Sequence, residues 1–247
     1  MMRRLGMSMV ALLVILLAAP MSGQASGQES DQALEDAVWT KLKDVKLDKE
    51  VAEIIVSGDT VTLRGEPASV YVKMKAIEVA LSVEGVTAVE DELVVGEAES
   101  DEALVKELVS KVLSYPHYTV FDDVGFQLQD GGIVVLTGYV TMGFKKSELE
   151  ERLGRVRGVS ELKNVLEILP ASASDEQLRE RLFRNIYGHE LFFTYANRTN
   201  PPIHIIVDGP NVMLTGAVRN KIERIQAESI VRSTFGVIGI DNRLQIN

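Results

Sequence analysis

The chain has 247 residues, 46% hydrophobic and 25% charged, with 19 Gly and 7 Pro, a composition that excludes a disordered chain and a collagen-like one. The absence of cysteine removes disulfide scaffolds, thiolate zinc sites, cysteine nucleophiles and a lipid-modified N-terminal cysteine. Its three histidines, His117, His189 and His204, are too scattered for a histidine-rich metal site, and a net charge of -10 argues against nucleic acid as a partner of the whole chain.

Residues 1–25 stand apart. Arg3 and Arg4 precede the apolar run Val10 to Ala19, followed by Pro20 and the small or polar residues Ser22, Gly23, Gln24 and Ala25. This is the pattern of a secretory signal, with cleavage expected after Ala25, and the run is about half the roughly twenty residues a bilayer span needs. The mature protein is therefore expected outside the cytoplasm.

The rest of the chain is one unit written three times. Each copy opens with Ser-Asp-x-x-Leu: Ser30-Asp31 with Leu34, Ser100-Asp101 with Leu104, Ser174-Asp175 with Leu178. From there apolar residues recur at i, i+4 and i+8, as in Leu34/Val38/Leu42, Leu104/Leu108/Val112 and Leu178/Leu182/Ile186, which predicts an amphipathic helix capped by the Ser or Asp ahead of it. Trp39 falls between stripe positions, where surface anchor and packing both remain open. A hairpin is expected next, its second strand ending in Leu-x-Gly at Gly65, Gly138 and Gly216, with Gly, Asp or Asn in its turn. A second helix follows, with inward positions Ala76/Ala80/Val83, Leu149/Leu153/Val156 and Ala227/Val231/Thr234, and it ends at a Gly-Val pair.

From the Leu-x-Gly glycine to the Gly-Val glycine is 20 residues in every copy, and Leu93, Leu166 and Leu244 in the closing strand lie 30 residues after Leu63, Leu136 and Leu214. Before the hairpin strand ends, by contrast, the count from the opening serine grows through 35, 38 and 42. The expected fold is α+β: three tandem small αββαβ modules, each a three-stranded mixed sheet with two helices on one face. Short linkers at 96–99 and 170–173 predict separate cores held close together, over 30–98, 99–171 and 172–247.

No catalytic fingerprint interrupts the repeats. There is no Gly-x-Ser-x-Gly elbow, His-Glu-x-x-His helix, phosphate loop or Rossmann glycine pattern, and the acidic clusters lack calcium-loop spacing. A phosphate cradle at the Leu-x-Gly glycines is outweighed by a structural role, because the glycine recurs whatever the local charge. His204, between Ile203 and Ile205, reads as one outward-facing strand residue without ligand partners.

The order G-x-V-x-L-x-G, then G-V-x-x-V-x-N about twenty residues on, resembles the BON domain family of bacterial osmotically inducible periplasmic and nodulation proteins. The second copy carries it in Tyr115-Pro116, Gly132 to Val140, Gly158-Val159, Leu162, Asn164 and Leu166. In the third it lies in Asn200 to Val207, Gly236-Val237 and Asn242. The first copy is more divergent, with Asp91 in place of the asparagine. The resemblance implies a non-enzymatic envelope protein without cofactors, associated with phospholipid membrane surfaces and serving envelope or osmotic stress protection.

Charge points to one copy for such contact. Residues 30–98 hold 7 Lys+Arg against 15 Asp+Glu, residues 99–171 hold 8 against 12, and residues 172–247 hold 9 against 8. The third copy offers Arg219, Lys221, Arg224 and Arg232 on its second helix and Phe192, Phe193, Tyr195 and Arg198 in a longer loop, a set suited to an anionic lipid surface. The three aromatic residues fit a core strand equally well. The alternative function is a periplasmic protein-interaction module or self-assembling scaffold, since small helix-over-sheet modules pair readily along exposed edges.

Overall fold

The computed structural model describes residues 22–47 and 50–247. All but the last few residues of the expected signal segment lie outside that range. The first repeat runs α1 (Ser22–Leu42), a 3-10 turn (Lys43–Val45), β1 (Ala52–Ser57), β2 (Thr60–Gly65), α2 (Val70–Leu81) and β3 (Ala88–Leu93). The second comprises α3 (Asp101–Leu113), β4 (Asp123–Gln129), β5 (Ile133–Val140), α4 (Gly143–Gly154), β6 (Glu161–Asn164) and β7 (Glu167–Ile168). The third comprises α5 (Ala173–Tyr187), α6 (Phe193–Ala196), β8 (Ile203–Asp208), β9 (Asn211–Val218), α7 (Lys221–Ser233), β10 (Gly239–Asn242) and β11 (Gln245–Ile246).

In each repeat the strand ending in Leu-x-Gly is central, antiparallel to its hairpin mate and parallel to the closing strand. The closing strand of the second and third repeats is broken into two short pieces that pair in turn with β5 and β9, so each sheet has four strands where three were expected. The break falls at Val165 and Arg243, whose N–H groups still donate to Leu136 and Leu214 carbonyls. The Leu-x-Gly glycine has a backbone reason. At Gly138, φ is 110°, and a Cβ there would lie 2.1 Å from the Asp123 carbonyl oxygen on the facing strand.

The two helical stripes bury as their spacing requires. Leu104, Leu108, Val112, Leu149, Leu153 and Val156 close the second core, and Leu178, Leu182, Ile186, Ala227 and Val231 close the third. Trp39 is buried in the first core. Two expected caps move. Helix α1 is already helical through Ser30-Asp31, and α5 is capped by Ser172, whose Oγ accepts from Asp175 N–H, so that Asp175 turns inward to accept from Gly209 N–H.

The repeats touch through different surfaces. Between the first and second, α2 packs on α4: Val70 N–H donates to the Val159 carbonyl at 2.8 Å, and Gly158 N–H donates to the Ala68 carbonyl at 3.1 Å. Between the second and third, the segment before β4 lies on β8. Ile205 N–H donates to the Val120 carbonyl at 2.7 Å, Val120 is buried in the third core, and Phe121 meets Phe183 edge to face. His204 does face away from its own core, but the second repeat covers it: Nδ1 is 2.6 Å from the Asp122 carbonyl oxygen, and the ring lies 5.4 Å from that of Tyr118.

Candidate functional site

The residues expected to make surface contact sit around α7. Asn220 caps that helix, its Oδ1 accepting from Glu223 N–H at 2.9 Å, and the buried stripe of Glu223, Ala227, Ile230 and Val231 turns the opposite side to solvent.

The aromatic run divides. Phe192 and Tyr195 are core residues and cannot touch a lipid surface; Phe193 alone of the three is exposed. The reason is α6, a single helical turn that points residues three apart to the same side, here inward. Tyr195 Oη donates to Glu223 Oε2 at 2.7 Å, and burial together with that carboxylate holds the phenol above its ordinary pKa. Arg198 and Arg219 lie over the Tyr195 ring, 4.8 and 5.2 Å from its centre.

The basic residues differ in how free they are. Arg219 pairs with the buried Glu223 at 2.7 Å, Arg232 pairs with Glu228 at 2.8 Å, and Arg224 Nη2 donates to the Asn242 carbonyl at 3.0 Å. Lys221 is exposed and makes no ion pair or side-chain hydrogen bond among the described residues.

What the sequence reading passed over is apolar. On the outer side of α7, Ile222 is 71% and Ile225 57% exposed, and in the turn after the helix Phe235 is 89% and Ile238 84% exposed. The signal was present, since both isoleucines fall off the stripe that Ala227 and Val231 define. A basic helix with an outward apolar strip can dock on another surface. Among the described residues no group of three or more His, Asp or Glu side chains is placed to hold a metal ion, and no helix is long and apolar enough to cross a membrane.

Known structures align with the chain at low identity and low structural similarity. The C-terminal domain of CdsD, the structural protein of the type III secretion system of Chlamydia trachomatis, aligns at 16% identity over 87% of this chain and 97% of that one, with a TM-score of 0.26. The periplasmic domain of PrgH, an inner-membrane protein of the S. typhimurium type III secretion system, aligns at 13% identity over 83% and 98%, with a TM-score of 0.20. No curated protein matches the chain. The family model described as the BON domain matches residues 30–97 and 174–247, leaving the middle repeat outside the match although it has the same register. With more than half of its length so matched, the chain belongs to the BON domain family.

Proposed function

We propose that the chain is a non-enzymatic interaction protein of the cell envelope that docks through its third repeat. The observation that carries this reading is the outer side of α7. On α2 and α4 the same side of the helix lines the groove where two repeats meet, and on α7 that side carries Ile222 and Ile225, both exposed. Protein is the favoured partner because that side already serves protein docking within the chain. A second reading, peripheral association with anionic phospholipid in envelope or osmotic stress protection, draws support from Lys221, Arg224 and Arg232 flanking the isoleucines, each contributing about 1 kcal/mol near an anionic surface.

The absence of cysteine makes a clean test available. A cysteine-reactive cross-linker on Ser229→Cys, in the exported protein within its host envelope, is expected to yield a protein adduct, whereas the same probe on Lys41→Cys is not. No adduct at either position, or equal adducts at both, overturns docking of protein through the third repeat. Co-sedimentation with anionic against neutral vesicles tests the lipid reading.

A further inference from the structure

The contact between the first two repeats shows how these units pair. Val70, the first residue of α2, meets Gly154, the last of α4: a Cβ on Gly154 would lie 3.7 Å from a Val70 methyl. Further along α2, Lys75 feels the charge of Glu151, one turn earlier on α4. Ascending residues of one helix therefore meet descending residues of the other, which makes the pair antiparallel. The groove they form, about 560 Å³, is lined by Val70, Tyr71, Met74 and Glu78 from one side and by Ser147, Glu151 and Gly154 among others from the other.

Numbered from the Leu-x-Gly glycine, Tyr71, Phe144 and Ile222 are equivalent, as are Met74, Ser147 and Ile225, and Glu78, Glu151 and Ser229. Met74 and Glu78 of one repeat thus share the groove with the equivalent Ser147 and Glu151 of the next. Equivalent faces set antiparallel are what a two-fold dimer brings together, and within the chain the two faces close at one end. At its end the pair is closed by four backbone groups, the Ala68 carbonyl, Val70 N–H, Gly158 N–H and Val159 carbonyl.

The third repeat carries the equivalent helix side and backbone groups. Its equivalents, the Arg219 carbonyl, Lys221 N–H, Gly236 N–H and Val237 carbonyl, have no hydrogen bond among the described residues. Around them stand the exposed Ile222, Ile225, Phe235 and Ile238. Ser229 replaces the glutamate of the other two copies, so a self-pair avoids two facing carboxylates. We infer that the open face of α7 is occupied by α7 of a second copy, the two helices antiparallel across a two-fold axis, with each Lys221 N–H donating to the other copy's Val237 carbonyl and each Gly236 N–H donating to the other's Arg219 carbonyl. This rests on the reading of α7 as a docking face.

The equivalence of Val70 and Gly154 with Lys221 and Arg232 puts two like charges near each other across the seam. Screening those charges strengthens the dimer, so salt favours it, whereas salt weakens attachment to an anionic lipid surface. Charge reversal separates the two in the same way. Lys221→Glu places a carboxylate near Arg232 of the second copy and tightens the dimer, while it weakens lipid attachment.

The experiment is analytical ultracentrifugation of the exported chain at low and high salt, with phosphatidylglycerol vesicle co-sedimentation alongside. A monomer–dimer equilibrium is expected. Ile222→Asp or Ile225→Asp should weaken it by about thirty-fold or more, as loss of an apolar anchor at the centre of an interface does. Lys221→Glu should tighten it by about fivefold at low salt. Because the two isoleucines are exposed, unchanged circular dichroism and unfolding midpoints are expected for their variants. A chain that stays monomeric at both salts, or a dimer indifferent to both isoleucine substitutions, overturns the inference. If the chain is monomeric and binds vesicles in a manner that salt and Lys221→Glu weaken, lipid takes the place of the second copy. A position-229 adduct with twice the mass of the chain supports the dimer. An adduct of any other mass sinks the dimer and leaves docking of protein through α7 standing.

Discussion

Seven residues after the Leu-x-Gly glycine, in the first turn of the second helix, the second repeat has Lys145 and the third has Glu223, both buried, while the first has Val72. Lys145 Nζ is 2.7 and 3.0 Å from the Asp122 carboxylate oxygens and donates to Thr141 Oγ1 at 2.8 Å. Glu223 accepts from Tyr195 Oη at 2.7 Å, from Arg219 N–H at 3.0 Å and from Arg219 Nε at 2.8 Å. Each buried charge holds the segment that precedes its own hairpin, Asp122 in one case and Tyr195 in the other. The first repeat, with the shortest such segment, fills the position with an apolar side chain packed on its core. One position in the repeat thus anchors whatever has been inserted, and its charge follows the insert.

The largest effect is expected from breaking the second-repeat anchor. Asp122 also accepts from Thr119 N–H and Oγ1 and from Thr141 N–H, all within 3.0 Å. Asp122→Ala leaves the Lys145 ammonium buried without a counter-charge, and about 3–5 kcal/mol of stability should be lost in urea unfolding. Because the same segment supplies Val120 to the third core, chymotryptic cutting after Tyr118 and Phe121 should rise sharply. Asp122→Leu combined with Lys145→Met should recover the part due to the unpaired ammonium, as replacing both members of a buried pair commonly does, while the Thr119 and Thr141 N–H groups still lack their acceptor. A double variant no better than the single one would count against the pairing argument.

Glu223→Gln should cost less, about 1–3 kcal/mol, because the Arg219 guanidinium is exposed and the amide oxygen of Gln can still accept from Tyr195 Oη or Arg219 N–H. Burial pushes the Glu223 carboxyl up, but the hydrogen bonds from Tyr195 and Arg219 outweigh it and hold its pKa below the ordinary 4.5. A depressed carboxyl stabilises the fold above the unfolded value and loses that contribution as pH falls through the folded one. The wild-type chain should therefore lose stability below about pH 4.5 more steeply than Glu223→Gln, a difference that acid titration monitored by circular dichroism will measure.

The stripes, the 20- and 30-residue spacings and the turn glycines made the topology legible, because each repeat buries its own apolar face by local periodicity. The anchors were not legible. Lys145 sits between Phe144 and Lys146 in a polar helix, and nothing local announces that Asp122, 23 residues earlier, folds beneath it. The basic residues of α7 were legible as a group. That Phe192 and Tyr195 turn inward was not, because it depends on a single helical turn, whereas the position of Ile222 and Ile225 off the buried stripe was a signal passed over.

A smaller effect is expected at His204. Burial lowers its pKa, outweighing the Asp122 carbonyl, the charges of Asp123 and Asp122 and the Thr119 carbonyl, all of which favour the protonated ring; Tyr118 covers it from the same segment. A histidine held neutral in the fold destabilises it once the unfolded chain binds the proton, so stability is complete above pH 6.5 and declines as pH falls below it. His204→Gln should flatten stability between about pH 7 and 5.5, the range in which an unperturbed histidine titrates. A wild-type profile already flat over that range would show that the ring does not sense acid.

The smallest effect tests the seam between the first two repeats. The Arg155 guanidinium lies 3.7 Å from the centre of the Tyr71 ring, and its Nη2 donates to Tyr71 Oη and to Glu151 Oε1, both at 2.6 Å. All of these side chains are at least half open to water or at its edge, so Arg155→Ala should cost about 0.5–1 kcal/mol of docking. The backbone pair of Val70 with Val159 and of Gly158 with Ala68 remains, as does Val70 against the second core. Gly158→Ala is the sharper cut at the same place: a Cβ there would lie 2.5 Å from that of Ala98, and φ at Gly158 is 86°, so the first repeat is pushed off its neighbour. Hydrogen exchange at Val70 N–H should rise modestly in Arg155→Ala and by orders of magnitude in Gly158→Ala, with the second core still protected. Ser233 is the third repeat's equivalent of Arg155, so no guanidinium clamps an α7 pair, and its apolar residues and backbone bonds must hold it. If Arg155→Ala by itself released the first repeat, the clamp and not the shared helix face would be what joins these units, and the case for an α7 pair would lose its template.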